Sequence, residues 1–428
     1  MRGRLRWSLA VGALAALAVA AGCTKIGEPD RASAPPPSVS MPAETAVPSS
    51  SSDPADATTE SIDSIDDVVA AIQRFWQGAF EQVSRGAFEP VPEQRVLAFS
   101  GDAGDPARDC DGLRLTYDIV VENALAAPCA EGILVAYDEG LFDDLADRFG
   151  PTAPAVVLAH EWGHVVQFQS GEGLRPVISE LQADCYAGSW VAWATDNDLG
   201  PFGAPGTLDT VLAAVISFSD DPGLSPENVA AHGSGFDRVR AFQEGFVEQP
   251  AACAGYDANP PPVFQFPFRL EELENEGNLP LGTALELMSA DLTRFFSQAV
   301  PGIDPPDVQE VASSDELTDA HRQVGDNAVG LLLALGWAEE AQRAAGQATS
   351  GDEALLQRTC LAGAWMGELL APPPDAEIVL SPGDLDEAVL TVVEGRGSTG
   401  RAESTPAFEI VASLGGGVVD GMQSCGLT

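Results

Sequence analysis

The sequence is poor in basic residues. Lys25 is its only lysine, and 21 lysines and arginines stand against 65 aspartates and glutamates, which gives a formal charge of −44. Proteins that bind nucleic acids contact phosphates through clustered lysine and arginine, so the composition excludes a nucleic-acid partner. Histidine is also scarce, with four in 428 residues. The position of each histidine is therefore informative.

Long hydrophobic runs are missing too, apart from one short run near the N-terminus. Arg2, Arg4 and Arg6 precede apolar residues 9–21, whereas a transmembrane helix needs about 20 apolar residues. A basic start followed by a short apolar run and small residues is typical of a secretory signal peptide, here residues 1–22.

The signal ends in the sequence Ala-Ala-Gly-Cys, which resembles a bacterial lipoprotein cleavage box. Cys23 would then be lipidated and would hold the chain on the cell membrane, facing the extracellular or periplasmic side. An uncleaved anchor helix and an ordinary secretory signal are the alternatives, and all three export the chain. Residues 23–62 are rich in Pro, Ser, Ala and Thr without apolar periodicity, which predicts a disordered tether.

The sequence contains an internal repeat. Residues 158–190 align without gaps with residues 333–365, and identical residues in the alignment include Trp162 with Trp337 and Gln167 with Gln342. Alanine-rich helices can match by chance, but shared cysteines, tryptophans and Pro-Gly pairs at one spacing argue against chance. We therefore divide the chain into a first module (63–258) and a second module (265–428), which lacks about 45 residues of the first.

Six cysteines remain beyond Cys23. An even number in an exported chain predicts three disulfides, and free buried thiols are the alternative. Two cysteines of the first module recur in the second, so each module most simply closes its own bond and the remaining two pair together. The predicted disulfides are Cys185–Cys253, Cys360–Cys425 and Cys110–Cys129.

One motif carries metal chemistry. Residues 160–164 read His-Glu-Trp-Gly-His within an apolar, helix-like stretch. Histidines four apart face the same way on a helix, so His160 and His164 predict one zinc site, with Glu161 beside it. The alternative is two helix histidines satisfied by hydrogen bonds. Gly163 is unfavourable in an ordinary helix interior, and close packing near the metal would explain it.

A third protein ligand is needed, because catalytic zinc keeps three protein ligands and one open position. The next helical stretch offers Glu180 and Asp184, also four residues apart. We assign Glu180 as the ligand and Asp184 as the acceptor of a histidine N–H. The reversed assignment and two plain surface carboxylates are the alternatives.

The second module has lost every one of these residues. In the alignment, His160 and Glu161 fall on Leu335 and Gly336, and His164 falls on Glu339. Glu180 and Asp184 are likewise replaced, by leucine and threonine, while the packing residues remain. The repeat thus separates the residues expected to do chemistry from those expected to support the fold.

Residues 160–167 (HEWGHVVQ) and 180–188 (ELQADCYAG) resemble the neutral zinc metallopeptidase family of exported or membrane-tethered bacterial zincins. The resemblance covers about residues 65–255. It implies a zinc-dependent endopeptidase that acts on peptide or protein substrates, with His160, His164 and Glu180 as ligands and Glu161 as the base. Val165 departs from the family, whose members often have a second histidine there, and the second module is outside its common single-module pattern.

Peptide hydrolysis of this kind also needs a hydrogen-bond donor to the oxyanion. His232, in a segment similar to the family's closing part, is the first candidate, and Tyr186 is the second. A structural histidine and core packing of Tyr186 are the alternatives, and His321 is expected on a solvated helix face. A second class of function also stays open, a non-catalytic zinc-containing surface lipoprotein that binds a partner.

The predicted fold class is α+β, mainly α, with a zincin-like metallopeptidase module followed by a degenerate, mostly helical repeat. Helices are expected around residues 65–85, 140–149, 154–169 and 176–195. Strands are expected near residues 95–100, 113–121 and 133–137, where β-branched and aromatic residues cluster.

Overall fold

The computed structural model describes residues 62, 64–102, 104–105, 108–395 and 405–427 of the chain. The predicted signal peptide, Cys23 and the predicted tether, apart from Ile62, lie outside the described residues. Within the described part the protein is mainly helical with a small sheet, which confirms the α-rich α+β composition. None of the helices in these ranges is both long and apolar enough to cross a membrane.

The helices of the first module include all four that the sequence predicts. Ser64 begins the first of them with a capping box, since its hydroxyl accepts from the Asp67 N–H and the Asp67 carboxylate accepts from the Ser64 N–H. The helices are α1 (Ile65–Ala79), α2 (Tyr117–Val120), α3 (Glu139–Phe149), α4 (Thr152–Ser170), α5 (Pro176–Asp196), α6 (Thr207–Ile216), α7 (Gly235–Glu248) and α8 (Pro250–Cys253).

The second module is built from helices and connecting turns. Among the described residues from 265 onward there is no strand, as predicted. The helices are α9 (Leu281–Ala299), α10 (Val308–Val311), α11 (Ser314–Gln323), α12 (Asp326–Ala344), α13 (Asp352–Leu369), α14 (Asp384–Val393) and α15 (Ala407–Asp420). Short 3-10 segments in the two modules are Phe80–Gln82, Glu93–Arg95, Gly200–Gly203, Ala254–Asp257, Leu270–Glu272 and Met422–Cys425.

A three-stranded sheet and a short hairpin lie before α3. The strands are β1 (Val96–Phe99), β2 (Arg108–Cys110), β3 (Leu113–Leu115), β4 (Ala124–Cys129) and β5 (Gly132–Asp138). The central β5 pairs in parallel with β1 and antiparallel with β4, and β2 pairs with β3. Strands β1 and β5 confirm two of the predictions.

The strand predicted over residues 113–121 is only half right. It ends at Leu115, and the chain then forms α2, in which the Val121 N–H donates to the Tyr117 carbonyl. The β-branched residues there suggested a strand, but the chain turns at this point to reach β4, and Val120 faces the core. The sequence did not predict β4, because its alanine-rich residues carry little strand propensity.

Corresponding helices of the two modules make the same close contacts. Helix α5 packs against α7, and α13 packs against α15. A Cβ atom on Gly188 would lie 2.0 Å from the Phe242 carbonyl oxygen, and one on Gly363 would lie 2.1 Å from that of Leu414. Only glycine permits backbones to approach so closely. The match supports the sequence repeat and fixes its register in this region at an offset of 172 residues.

The structure contains three disulfides, and their pairing is the one that the repeat predicts. They are Cys110–Cys129, Cys185–Cys253 and Cys360–Cys425. The first ties β2 to β4, the second ties α5 to α8, and the third ties α13 to the 3-10 segment that follows α15. Three disulfides are typical of a protein that folds outside the cytoplasm.

Candidate metal centre

The predicted metal-binding residues lie on two helices in the middle of the core. Helices α4 and α5 are buried on all sides over most of their length, as expected for helices whose apolar residues are not confined to one stripe. His160, His164 and Glu180 are 2%, 1% and 4% exposed. Their side chains come together where α4 and α5 face each other.

Gly163 allows the two helices to approach. A Cβ atom at this position would lie 2.7 Å from the Ala183 Cα, which is closer than such atoms can pack. The close packing predicted for this glycine is therefore confirmed, and its partner is the backbone of α5. The contact places the histidines of α4 beside the carboxylates of α5.

Three electron-pair donors converge at the centre. The two histidine Nε2 atoms are 3.2 Å apart, and Glu180 oxygens lie 3.3 Å from His160 Nε2 and 3.5 Å from His164 Nε2. Ligand atoms at about 2.0–2.1 Å from a zinc ion in tetrahedral geometry are about 3.3–3.4 Å from one another. The distance between the two Nε2 atoms, and the distance from each of them to its nearer Glu180 oxygen, are close to this spacing, so these residues fit a metal ion.

Hydrogen bonds at the opposite ring nitrogens fix both tautomers. His160 Nδ1 lies 2.7 Å from an Asp184 oxygen, and His164 Nδ1 lies 2.9 Å from Gln167 Oε1. Both acceptors take an Nδ1–H, which leaves each Nε2 lone pair directed at the centre. Asp184 therefore contacts His160 at Nδ1, and Glu180 lies near both Nε2 atoms, on the side where the predicted ion would bind.

The role of Gln167 was not predicted. Its side-chain nitrogen donates to the Ser179 carbonyl and to Gln182 Oε1, so its oxygen must face His164 as an acceptor. The corresponding Gln342 donates to Gln357 in the same way. The glutamine-to-glutamine hydrogen bond therefore occurs also in the second module, which has no equivalent histidines. For this reason the repeat indicated a packing role for Gln167 and gave no sign of its contact with His164.

Arg238 on α7 is the other contributor that sequence reasoning missed. It is 2% exposed, and its guanidinium donates to both Asp184 oxygens at 2.8 and 2.9 Å. Burial raises the pKa of Asp184, but Arg238 and then His160 outweigh it, so the pKa lies below its ordinary value. At the offset of 172 residues given above, Arg238 corresponds to Ile410. The second module therefore lacks this arginine as well as the residues of the candidate metal site.

The surroundings favour the ionised form of both carboxylates, Glu180 and Asp184. Burial raises the pKa of Glu180, but His164 and His160 lower it well below its ordinary value. A metal ligand must be deprotonated, so this state is suited to coordination. Glu161, the predicted base, is 0% exposed on α4, in the sequence between the two histidines.

His232 lies at the end of the loop that leads into α7. Asp220 holds it, since one carboxylate oxygen accepts from the His232 backbone N–H at 2.8 Å and the other lies 3.4 Å from Nδ1. Its side chain is 18% exposed. Burial lowers the pKa of His232, but Asp220 and Glu180 raise it above its ordinary value. His232 therefore interacts electrostatically with Glu180.

Two other sequence candidates have different surroundings. Tyr186 is fully buried, and its ring packs edge-to-face on Trp76 at 5.2 Å. This is the core packing given above as the alternative to an oxyanion donor. The expectation that His321 is solvated is wrong. It is half-buried and donates from Nε2 to the Leu279 carbonyl at 2.7 Å, because α11 packs against the segment that precedes α9.

A second group of carboxylates, two of them buried and one partly buried, lies in the second module. Burial raises the pKa values of Asp326, Asp384 and Glu387. Each accepts a backbone N–H, from Leu279, Ser381 and Asn327 respectively. These hydrogen bonds hold backbone amides in the segments before α9 and α14 and in the first turn of α12.

Comparisons with known proteins identify no family. No family model matches the chain, and no solved structure matches it. It is similar to uncharacterised proteins of Mycobacterium bovis and Mycobacterium tuberculosis, with 30% identity over 154 residues, 28% of this chain and 52% of each relative. The chain thus spans about half the length of the curated relatives it matches.

Proposed function

We propose that the protein is an exported zinc-dependent endopeptidase attached to the membrane through lipid at Cys23. The observation that carries this proposal is the convergence of three side chains: the Nε2 atoms of His160 and His164 are 3.2 Å apart, and each lies within 3.5 Å of one of the two Glu180 oxygens. Two nitrogens and one oxygen are the ligand set of a catalytic zinc with one open position. The resemblance of residues 160–188 to neutral zinc metallopeptidases agrees with it.

The chemistry divides between the metal and the chain. When bound, zinc would act as a Lewis acid toward the scissile carbonyl and the attacking water. Glu161 takes a proton from the water and later passes it to the leaving amine. Glu161 has no role as a ligand, and a purely structural site gains nothing from a base beside it.

His232 is the proposed donor to the oxyanion. Asp220 faces its Nδ1, so Nε2 is the ring nitrogen that would donate to the oxyanion of the substrate. Asp220 and Glu180 favour its protonated form, which strengthens a hydrogen bond to a developing negative charge. Its partial exposure agrees with a position that substrate can reach.

The second module, in this proposal, is a degenerate pseudopeptidase repeat. The same glycine contacts and the same disulfide occur in both modules. The equivalents of the metal residues are apolar or neutral in all but one case, where Glu339 replaces His164. The second module, which lacks the equivalents of the proposed zinc ligands, would therefore support the fold of the first.

One observation favours the other class of function, a zinc-containing lipoprotein that binds a partner without catalysis. The three ligands are at most 4% exposed and Glu161 is 0% exposed, as in a structural metal site. A structural zinc usually closes with four protein ligands, however, and this cluster among the described residues has three.

Hydrolysis assays distinguish the two functions. We expect the zinc-loaded soluble chain from residue 62 onward to cleave casein, and Glu161→Gln to keep its zinc while losing activity by about 10³-fold or more. Glu131→Gln, at an exposed glutamate, is the control and should retain full activity. Zinc in every protein without hydrolysis in any of them would favour the binding function.

A further inference from the structure

The two modules meet through a reciprocal interface. Helices α6 and α7 of the first module pack against α14 and α15 of the second. In the alignment of the repeat, α6 corresponds to α14 and α7 to α15. Each surface thus meets its own counterpart, which is how two identical subunits meet across a twofold axis.

The same side-chain contact occurs on both sides of this interface. Asp386 on α14 accepts from the backbone N–H groups of Gly235 and Phe236 at 3.0 and 2.7 Å. Its counterpart Asp209 on α6 accepts from the backbone N–H of Phe408 at 3.2 Å. Phe236 and Phe408 are each the second residue of their helix. Each module therefore caps the N-terminus of a helix in the other.

The two caps differ in what their helices carry. Asp386 holds the start of α7, which begins three residues after His232 and carries Arg238 in its first turn. Arg238 in turn holds Asp184, and Asp184 holds His160 Nδ1. The start of α15, held by Asp209, carries Ile410 in place of the arginine, and no proposed metal residue lies on it.

We propose that Asp386 is a positioning residue for the metal centre, and that the second module serves the first as a built-in partner subunit. This inference rests on the proposed zinc site. Asp386 acts through the backbone of α7. By holding the first residues of this helix, it fixes the position of Arg238 relative to Asp184. A residue of the second module thus helps to position the residues around the metal centre of the first.

The reciprocal contact supplies a matched control. We would compare Asp386→Ala with Asp209→Ala in the full soluble chain, measuring zinc affinity by competition with a chelator and amide hydrogen exchange by mass spectrometry. Asp386→Ala should weaken zinc binding by about 3- to 10-fold, less than is typical for a direct partner of a ligand. Asp209→Ala should change it by less than about twofold.

Exchange should localise the two effects. Amides at the start of α7 should exchange faster in Asp386→Ala, and amides at the start of α15 in Asp209→Ala. Asp386→Asn keeps the volume and one acceptor, and it should give an intermediate zinc affinity. If Asp386→Ala does not fold, Asp386→Asn decides the question.

Several outcomes separate this inference from the proposed function. Equal zinc affinities in wild type and Asp386→Ala, or equal losses in both alanine variants, would overturn the positioning role. Zinc binding with the expected difference but without hydrolysis in wild type would support the positioning role and contradict the peptidase. A wild type without zinc would overturn both.

Discussion

Arg238 and Asp184 form a two-bond ion pair inside the core, 54 residues apart in sequence. Both side chains are at most 3% exposed. A buried ion pair contributes little net stability when it is complete, but loss of one partner leaves an uncompensated charge. Asp184 also contacts His160, so the pair connects the stability of the core with the geometry of the candidate metal centre.

The ion pair can be tested with the residues that replace it in the second module. Asp184→Thr alone should lower the free energy of unfolding by about 3–5 kcal/mol, because Arg238 then lacks its counter-ion. Adding Arg238→Ile, to reproduce Thr359 and Ile410, should recover most of that loss. Urea unfolding measures both effects. A double variant that is no more stable than the single one would contradict this account.

Zinc affinity should respond differently in the same variants. Loss of the carboxylate that orients a ligating histidine typically weakens metal binding by about 10–100-fold. Arg238→Ile does not replace that carboxylate, so both the single and the double variant should bind zinc weakly. Recovery of wild-type affinity in the double variant would mean that Asp184 does not act on His160.

Asp237 should make stability depend on pH. Burial raises its pKa to about 7, although it accepts hydrogen bonds from the Phe264 N–H and Ser234. In the unfolded chain the pKa is about 3.9, so between these values the folded state binds the extra proton. This contribution is complete below about pH 4 and is lost as the pH rises through about 7.

Asp237→Asn removes that titration. The free energy of unfolding of wild type minus that of the variant should fall by up to about 1.4 kcal/mol per pH unit between pH 5 and 7. Urea unfolding at pH 5, 6, 7 and 8 checks the slope. A difference that is constant over this range would show that Asp237 is ionised at pH 5 in the folded state.

Gly163 should be sensitive to the smallest possible substitution. Gly163→Ala places a methyl group against the backbone of Ala183 and should cost about 1–3 kcal/mol, together with a loss of zinc affinity, because α4 and α5 move apart. Gly78→Ala is the control, since Gly78 is an exposed glycine in α1 with nothing within 4 Å of the added atom. It should stabilise the protein by about 0.4–1 kcal/mol. Equal effects in thermal unfolding would rule out the packing argument.

The sequence predicts the parts of the site that have a local pattern. The histidines four residues apart and the carboxylates four residues apart each share one face of one helix, so their grouping follows from helical geometry. Gly163 indicates that the two helices touch. The cysteines reveal their pairing because the repeat presents one pair twice.

The rest depends on tertiary contacts. Arg238 reaches Asp184 only because α7 packs on α5, and no local spacing marks it. The residues of β4, Ala124–Cys129, do not favour a strand by themselves. The strand forms because it pairs with β5 through a tight turn. The interface between the modules joins Asp386 to Phe236, 150 residues away, and only the alignment of the two modules makes it intelligible.

Metal content tests the central claim most directly. Elemental analysis of the purified chain should find one zinc per molecule in wild type and in Glu172→Gln, a half-buried glutamate in the loop before α5. Glu180→Gln removes a ligand charge and should lose zinc on dialysis. One zinc in wild type that Glu180→Gln abolishes is the predicted result, and a wild type without zinc would contradict the account.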